Sequence, residues 1–203
     1  DSLFDECHKY GIEPLVTISH YETPLHLAKA YNGWVNRDLI GFYENYVRTI
    51  FTRYRGKVKY WLTFLEINLM PQEPLTCGGI LTPKDKLSKQ DLYQAIHHEL
   101  VASALAVKIG HEIMPEAMIG CMIASTPVYP LTPAPQDILK VQQINYMNDF
   151  FGDIHVRGVY PWYIKRYFQE NGIQIKMDND DLQILKNNTV DFVSLSYYSS
   201  ICT

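Results

Sequence analysis

The chain has 203 residues, 47% hydrophobic and 20% charged, an ordinary globular composition that excludes a disordered or low-complexity protein. Its formal net charge of -4, with Lys and Arg scattered rather than striped, argues against nucleic-acid and anionic-membrane partners, and no apolar run approaches the roughly 20 residues that span a bilayer. Cys7, Cys77, Cys121 and Cys202 lie far apart without ligand spacing, so neither zinc nor a disulfide framework is expected, and a reducing, cytoplasmic setting is.

Residues 1–10 are charged and helix-like with no secretory pattern, and residues 3–10 read as the tail of a helix feeding a first strand at residues 15–20. Leu39, Phe42, Tyr43, Tyr46, Val47, Ile50 and Phe51 recur at helical spacing, which predicts a helix over residues 38–54 with Asp38 at its cap. A second strand is expected at residues 60–67. The next helix, residues 90–109, carries Leu92, Ile96, Leu100, Ala104 and Val107 on one face and is stopped by Gly110 and then Pro115. A third strand follows at residues 119–125. Residues 127–135, with four prolines, read as a loop, residues 136–151 and 159–171 as helices, the latter ended by Gly172, and residues 192–198 as a last strand.

Short β-branched or aromatic runs alternating with longer amphipathic segments are the pattern of βα units and a parallel sheet. The expected fold class is therefore α/β, with about four parallel strands and covering helices. A sheet with no crossover helix after its last strand has raw edges and an uncovered face, which natural domains avoid. The expected organisation is one domain over residues 1–203, truncated at both ends, whose exposed sheet edges offer contacts for an oligomer.

Three strand ends carry polar groups. Glu66 interrupts the apolar run of residues 63–68 near the end of its strand, where a parallel barrel places its active-site face. Desolvation by Tyr60, Trp61 and Phe64 would suit Glu66 to act as a general acid, whereas a salt-bridged strand-end carboxylate is the structural alternative. His20 ends the first strand beside Tyr21, so that the pair can hydrogen-bond and stack on a sugar ring, although a satisfied structural histidine is the commoner fate. In the last strand, alternation puts Ser196 and Tyr198 on one face and Tyr197 on the other, so that a phenol can reach the mouth or, equally, lie in the core. The neighbours His97 and His98 point about 100° apart on a helix and suit no chelate.

At these same strand ends the chain resembles glycoside hydrolase family 1. The run from Val16 to Leu27 is similar to the family's strand-three signature, Gly33-Trp34-Val35-Asn36-Arg37 to the loop after it, Trp61 to Glu66 to the Thr-Phe-Asn-Glu motif, and Ser194 to Ser199 to the strand-six motif. The resemblance implies a portion of a (β/α)8 barrel, roughly its strands three to six, and a retaining hydrolase needing no cofactor and no metal. It implies Glu66 as acid/base, His20 and Tyr21 at the sugar, and Tyr198 in contact with the nucleophile. His20-Tyr21-Glu22, residues 87–94 and Ser196-Tyr197-Tyr198 are in the style of the phospho-glucosidase members, which implies a small phosphorylated β-glucoside as substrate. Leu65 stands where the family has an asparagine that binds the 2-hydroxyl. The family's nucleophile and phosphate-binding loop would fall after Thr203, and its early glutamine and arginine before Asp1. The isolated chain is therefore expected to be inactive. A non-catalytic half-barrel, a phospho-β-galactosidase and a plain β-glucosidase are the alternatives.

Overall fold

The computed structural model describes residues 1–203. Its elements in chain order are α1 (Ser2–Lys9), β1 (Leu15–Ser19), α2 (Leu25–Tyr31), α3 (Asp38–Tyr54), β2 (Tyr60–Phe64), α4 (Pro74–Gly78), α5 (Lys89–Ile113), β3 (Met118–Ser125), β4 (Val128–Tyr129), α6 (Pro135–Arg157), α7 (Trp162–Glu170), α8 (Asp181–Asn187), β5 (Phe192–Tyr197) and β6 (Ile201–Cys202). The strands β1, β2, β3 and β5 pair in that order, all parallel, and β4 pairs with β6 in a separate small sheet. No helix is long and apolar enough to cross a membrane.

Period-two alternation gives each strand two faces. Trp61 meets Phe51 of α3 edge-on on the helix side, while Tyr60 faces Phe192 across the inner side. Helix α5 is buried on almost every side between Tyr93 and Gly110, because β2, α3, α6 and α8 all pack on it. It does not stop at Gly110. A side chain there would meet Ile119 of β3 at 2.0 Å, so this glycine serves close helix–strand approach rather than termination, and the helix runs on to Ile113. Ser88 starts α5, its hydroxyl accepting from the Asp91 amide at 3.0 Å, a cap worth roughly 1 kcal/mol.

Other boundaries also differ from the sequence reading. Asp38 does not cap α3; Asn36 accepts from the Asp38 amide at 2.8 Å instead. The proline-rich loop contains β4, and α6 extends from Pro135 past Gly152 to Arg157. Helix α7 begins only at Trp162, after Pro161, whose backbone nitrogen has no hydrogen to donate to a preceding turn. On the edge strand β5, Val193, Leu195 and Tyr197 are exposed.

A polar thread crosses this core under β2. Ser103 of α5 donates to Thr63 at 2.8 Å and lies 3.4 Å from Nδ1 of His155 on α6. His155 is buried with Nε2 unpartnered, and burial pushes its imidazole down to about 4. An unfolded histidine takes up its proton near 6.5, so the folded state should lose stability as pH falls from about 6.5 towards about 4 and keep it fully above that window. Glu99 on α5 is buried too, and burial raises its carboxyl well above the ordinary value, which has the opposite sign: stability is lost as pH rises past the unfolded carboxyl's range. Urea midpoints measured between pH 7 and pH 4 should therefore fall less for His155→Phe than for the parent chain; parallel curves would mean that His155 titrates normally.

Candidate active site

The three strand ends meet at one mouth. Ser19, closing β1, accepts from the Leu65 amide at 3.0 Å, so the β1 and β2 chains stay joined one residue past the strand proper. Asn68 binds the next strand reciprocally, donating to the Ala124 carbonyl at 2.9 Å and accepting from its amide at 2.8 Å. That pair of hydrogen bonds was not singled out in the sequence; its signal is a lone amide two residues past Glu66 in an apolar run.

Strand β2 ends at Phe64, and the expected alternation fails there. Thr63 bonds Ser103 of α5, yet its neighbour Phe64 also turns to the helix side, stacking on Tyr43 of α3 at 4.7 Å and meeting Trp34 at 5.5 Å. Two consecutive side chains on one side mean a twisted strand end. Glu66 then takes a left-handed backbone with φ 46. Trp61 and Phe64 thus pack among the helices and do not form the expected wall around the carboxylate.

What meets Glu66 is Tyr21. The phenol donates to Oε2 at 2.5 Å, and Tyr21 too is left-handed, with φ 74. These are two of only three non-glycine residues with positive φ, and they are bonded to each other across adjacent strand ends. Such backbone strain costs on the order of 1–3 kcal/mol each and is found where function holds it. Glu66 is 5% exposed, and its Oε1 is buried with no partner. A buried unpaired acceptor costs roughly 1–3 kcal/mol, which makes this carboxylate one of the least satisfied groups of the chain. Burial first, and then the hydrogen bond to Glu66, push the Tyr21 phenol above its ordinary range, with Cys77 of α4 and Tyr198 adding to the effect.

Of the other residues singled out, His20 lies exposed at the rim with its ring 6.0 Å from that of Tyr21. Tyr198 falls just beyond β5 and is 78% exposed, close enough to Tyr21 to influence it. Leu65 is half-buried and does not pack on the core. His97 and His98 are spent structurally. His97 spans Tyr160 and the buried Asp181 at 2.8 and 2.9 Å, and Asp181 is gripped by Arg37 through two bonds of 2.9 and 2.6 Å. His98 meets the Trp34 carbonyl and Gln94. These bonds anchor the loop after α2 to α5 and α8, outside the mouth.

The whole chain, residues 1–203, matches the sequence profile of Glycosyl hydrolase family 1. It is 64% identical over 202 residues to a 6-phospho-beta-glucosidase of Clostridium longisporum, a match covering 100% of this chain and 42% of that protein. It is 51% identical to the aryl-phospho-beta-D-glucosidase BglH of Bacillus subtilis, covering 99% of this chain and 43% of the relative. Among solved structures, a family 1 β-glucosidase from Thermotoga maritima superposes with a TM-score of 0.83 at 28% identity, covering 98% of this chain and 44% of that one. The chain thus spans less than half the length of the relatives it matches. With four parallel strands, covering helices and a match along its entire length, the chain belongs to glycosyl hydrolase family 1, as a portion of that family's barrel.

Proposed function

We propose that the whole protein hydrolyses 6-phospho-β-D-glucosides with retention, Glu66 protonating the departing oxygen and later activating water. The observation that carries this is the buried Glu66 at a strand mouth, one oxygen held by Tyr21 and the other unpartnered. The Clostridium 6-phospho-beta-glucosidase and the Bacillus aryl-phospho-beta-D-glucosidase support the phosphorylated substrate. His20 contacts the sugar from the rim, and Tyr198 meets the nucleophile. A sugar phosphate is made and used inside the cell, so the setting is cytoplasmic, and acid, base and nucleophile chemistry on carboxylates needs no cofactor. Retention takes two carboxylates roughly 5–5.5 Å apart, and Glu66 supplies one, so the 203-residue chain is inactive alone.

The test compares chromogenic 6-phospho-β-glucoside, its unphosphorylated counterpart and the 6-phosphogalactoside on the whole protein and on the 203-residue chain. Losing charge-assisted contacts to the phosphate costs on the order of 3 kcal/mol, so the whole protein should prefer the phosphorylated glucoside by about a hundredfold. Equal rates with and without phosphate would discard the substrate class, and faster galactoside hydrolysis would reassign it. Turnover by the short chain would overturn its inactivity. Leu65 favours a second, non-catalytic reading, which holds if the whole protein cleaves none of the three.

A further inference from the structure

We propose that Tyr21 is a positioning residue for the acid/base: its phenol donates to Oε2 of Glu66 and fixes how the carboxyl group is turned. This rests on the acid/base reading of Glu66 given above. The sequence suggested Tyr21 for the sugar, but its one hydroxyl proton is already engaged, donated to Glu66 at 2.5 Å. Oε1 has no partner at all, although it is buried. A carboxyl group can turn over and exchange its oxygens; the phenol fixes one, and the turn that follows, in which the Leu69 amide bonds the Glu66 carbonyl at 2.8 Å, fixes the backbone that carries it. Left-handed φ at both residues aims the two side chains at each other across neighbouring strand ends.

The proton accounting follows from that fixed carboxyl group. In the first step the carboxyl proton of Glu66 passes to the glycosidic oxygen as the bond to the anomeric carbon breaks, its electron pair leaving with that oxygen. The anomeric carbon is taken by the nucleophilic carboxylate of the rest of the barrel. Glu66 becomes anionic at that moment, and a hydrogen bond donated to Oε2 stabilises the anion more than the neutral acid. In the second step water returns a proton to the Glu66 carboxylate as its oxygen bonds the anomeric carbon and the nucleophilic carboxylate leaves. The other titratable groups around the pair are Cys77 on α4, Tyr198 beyond β5, and, through Cys77, Glu73 before α4 and Glu99 on α5. Burial and Glu66 keep the Tyr21 phenol protonated, hence a donor, across the working range.

Tyr21→Phe in the whole protein tests this against a series of 6-phosphoglucosides whose leaving groups run from dinitrophenol to simple alcohols. The expected result is a loss of kcat/KM of about tenfold on alkyl substrates and twofold or less on the dinitrophenyl one, where no proton is needed. In a Glu66→Gln background the same change should do nothing further. An equal loss on every leaving group, or none on any, would overturn the proposal. Should Tyr21→Phe fold poorly, 3-fluorotyrosine at position 21 keeps the ring and strengthens the donor; alkyl rates that then stay unchanged overturn it equally. If Glu66→Gln alone spares alkyl substrates, the acid/base reading falls and Tyr21 falls with it. If Glu66→Gln abolishes them while Tyr21→Phe is flat across the series, only the role of Tyr21 is lost.

Discussion

Replacing Glu66 by glutamine in the whole protein is expected to lower kcat/KM on alkyl 6-phosphoglucosides by about three orders of magnitude. General acid assistance is worth roughly 10²–10⁴ in rate, and a threefold power of ten corresponds to about 4 kcal/mol of transition-state stabilisation. The amide fits the same space and can still accept from Tyr21, so the 2.5 Å contact and the left-handed turn have every reason to survive. What disappears is the carboxyl proton that the leaving oxygen needs. The loss should shrink to a few-fold on a dinitrophenyl glycoside, whose leaving group departs as a stable anion. Measured kcat/KM for both substrates, with a thermal melt to confirm folding, settles the assignment. Undiminished alkyl hydrolysis would return Glu66 to the structural alternative of a strand-end carboxylate.

The four strands were legible as short apolar runs between helical patterns, although β5 is covered on one face only, with Val193, Leu195 and Tyr197 exposed, and Glu66 stood out as the charge beside one of them. The way it is presented was not legible. Nothing in Phe64-Leu65-Glu66 asks for a left-handed residue, since a non-glycine φ of 46 is imposed by tertiary bonds: Leu65 to Ser19, Glu66 to Tyr21 and Asn68 to Ala124. Gly110 shows the same limit from the other side. A glycine late in a helix pattern suits a stop as well as a close approach, and only Ile119 on the neighbouring strand decides between them. The Arg37–Asp181 pair joins residues 144 positions apart, and strands as short as β4 and β6 exist only by virtue of each other. Local pattern thus names the pieces and the carboxylate, whereas contacts between distant segments aim it.

Leu65 offers the sharpest test of that aim. Had strict alternation held, it would point away from the mouth and its identity would matter little to the sugar. The strand end is twisted instead: Thr63 and Phe64 both reach the helix side, Glu66 is left-handed, and Leu65 stays half-buried without packing on the core. Leu65, joined to β1 through its own amide, is proposed to occupy the place of the family's asparagine at the 2-hydroxyl. Leucine offers that hydroxyl no partner, at a cost of roughly 1–3 kcal/mol for a buried polar group. Each 1.36 kcal/mol is about tenfold in rate. Leu65→Asn in the whole protein should therefore raise kcat/KM by about one to two orders of magnitude on a substrate that carries the 2-hydroxyl, and far less on its 2-deoxy analogue. The difference between the two substrates is the informative quantity, because a change in strand packing moves both alike. Equal gains would place the effect of Leu65 in the barrel wall, and a loss on both would mean that the leucine supports the turn presenting Glu66.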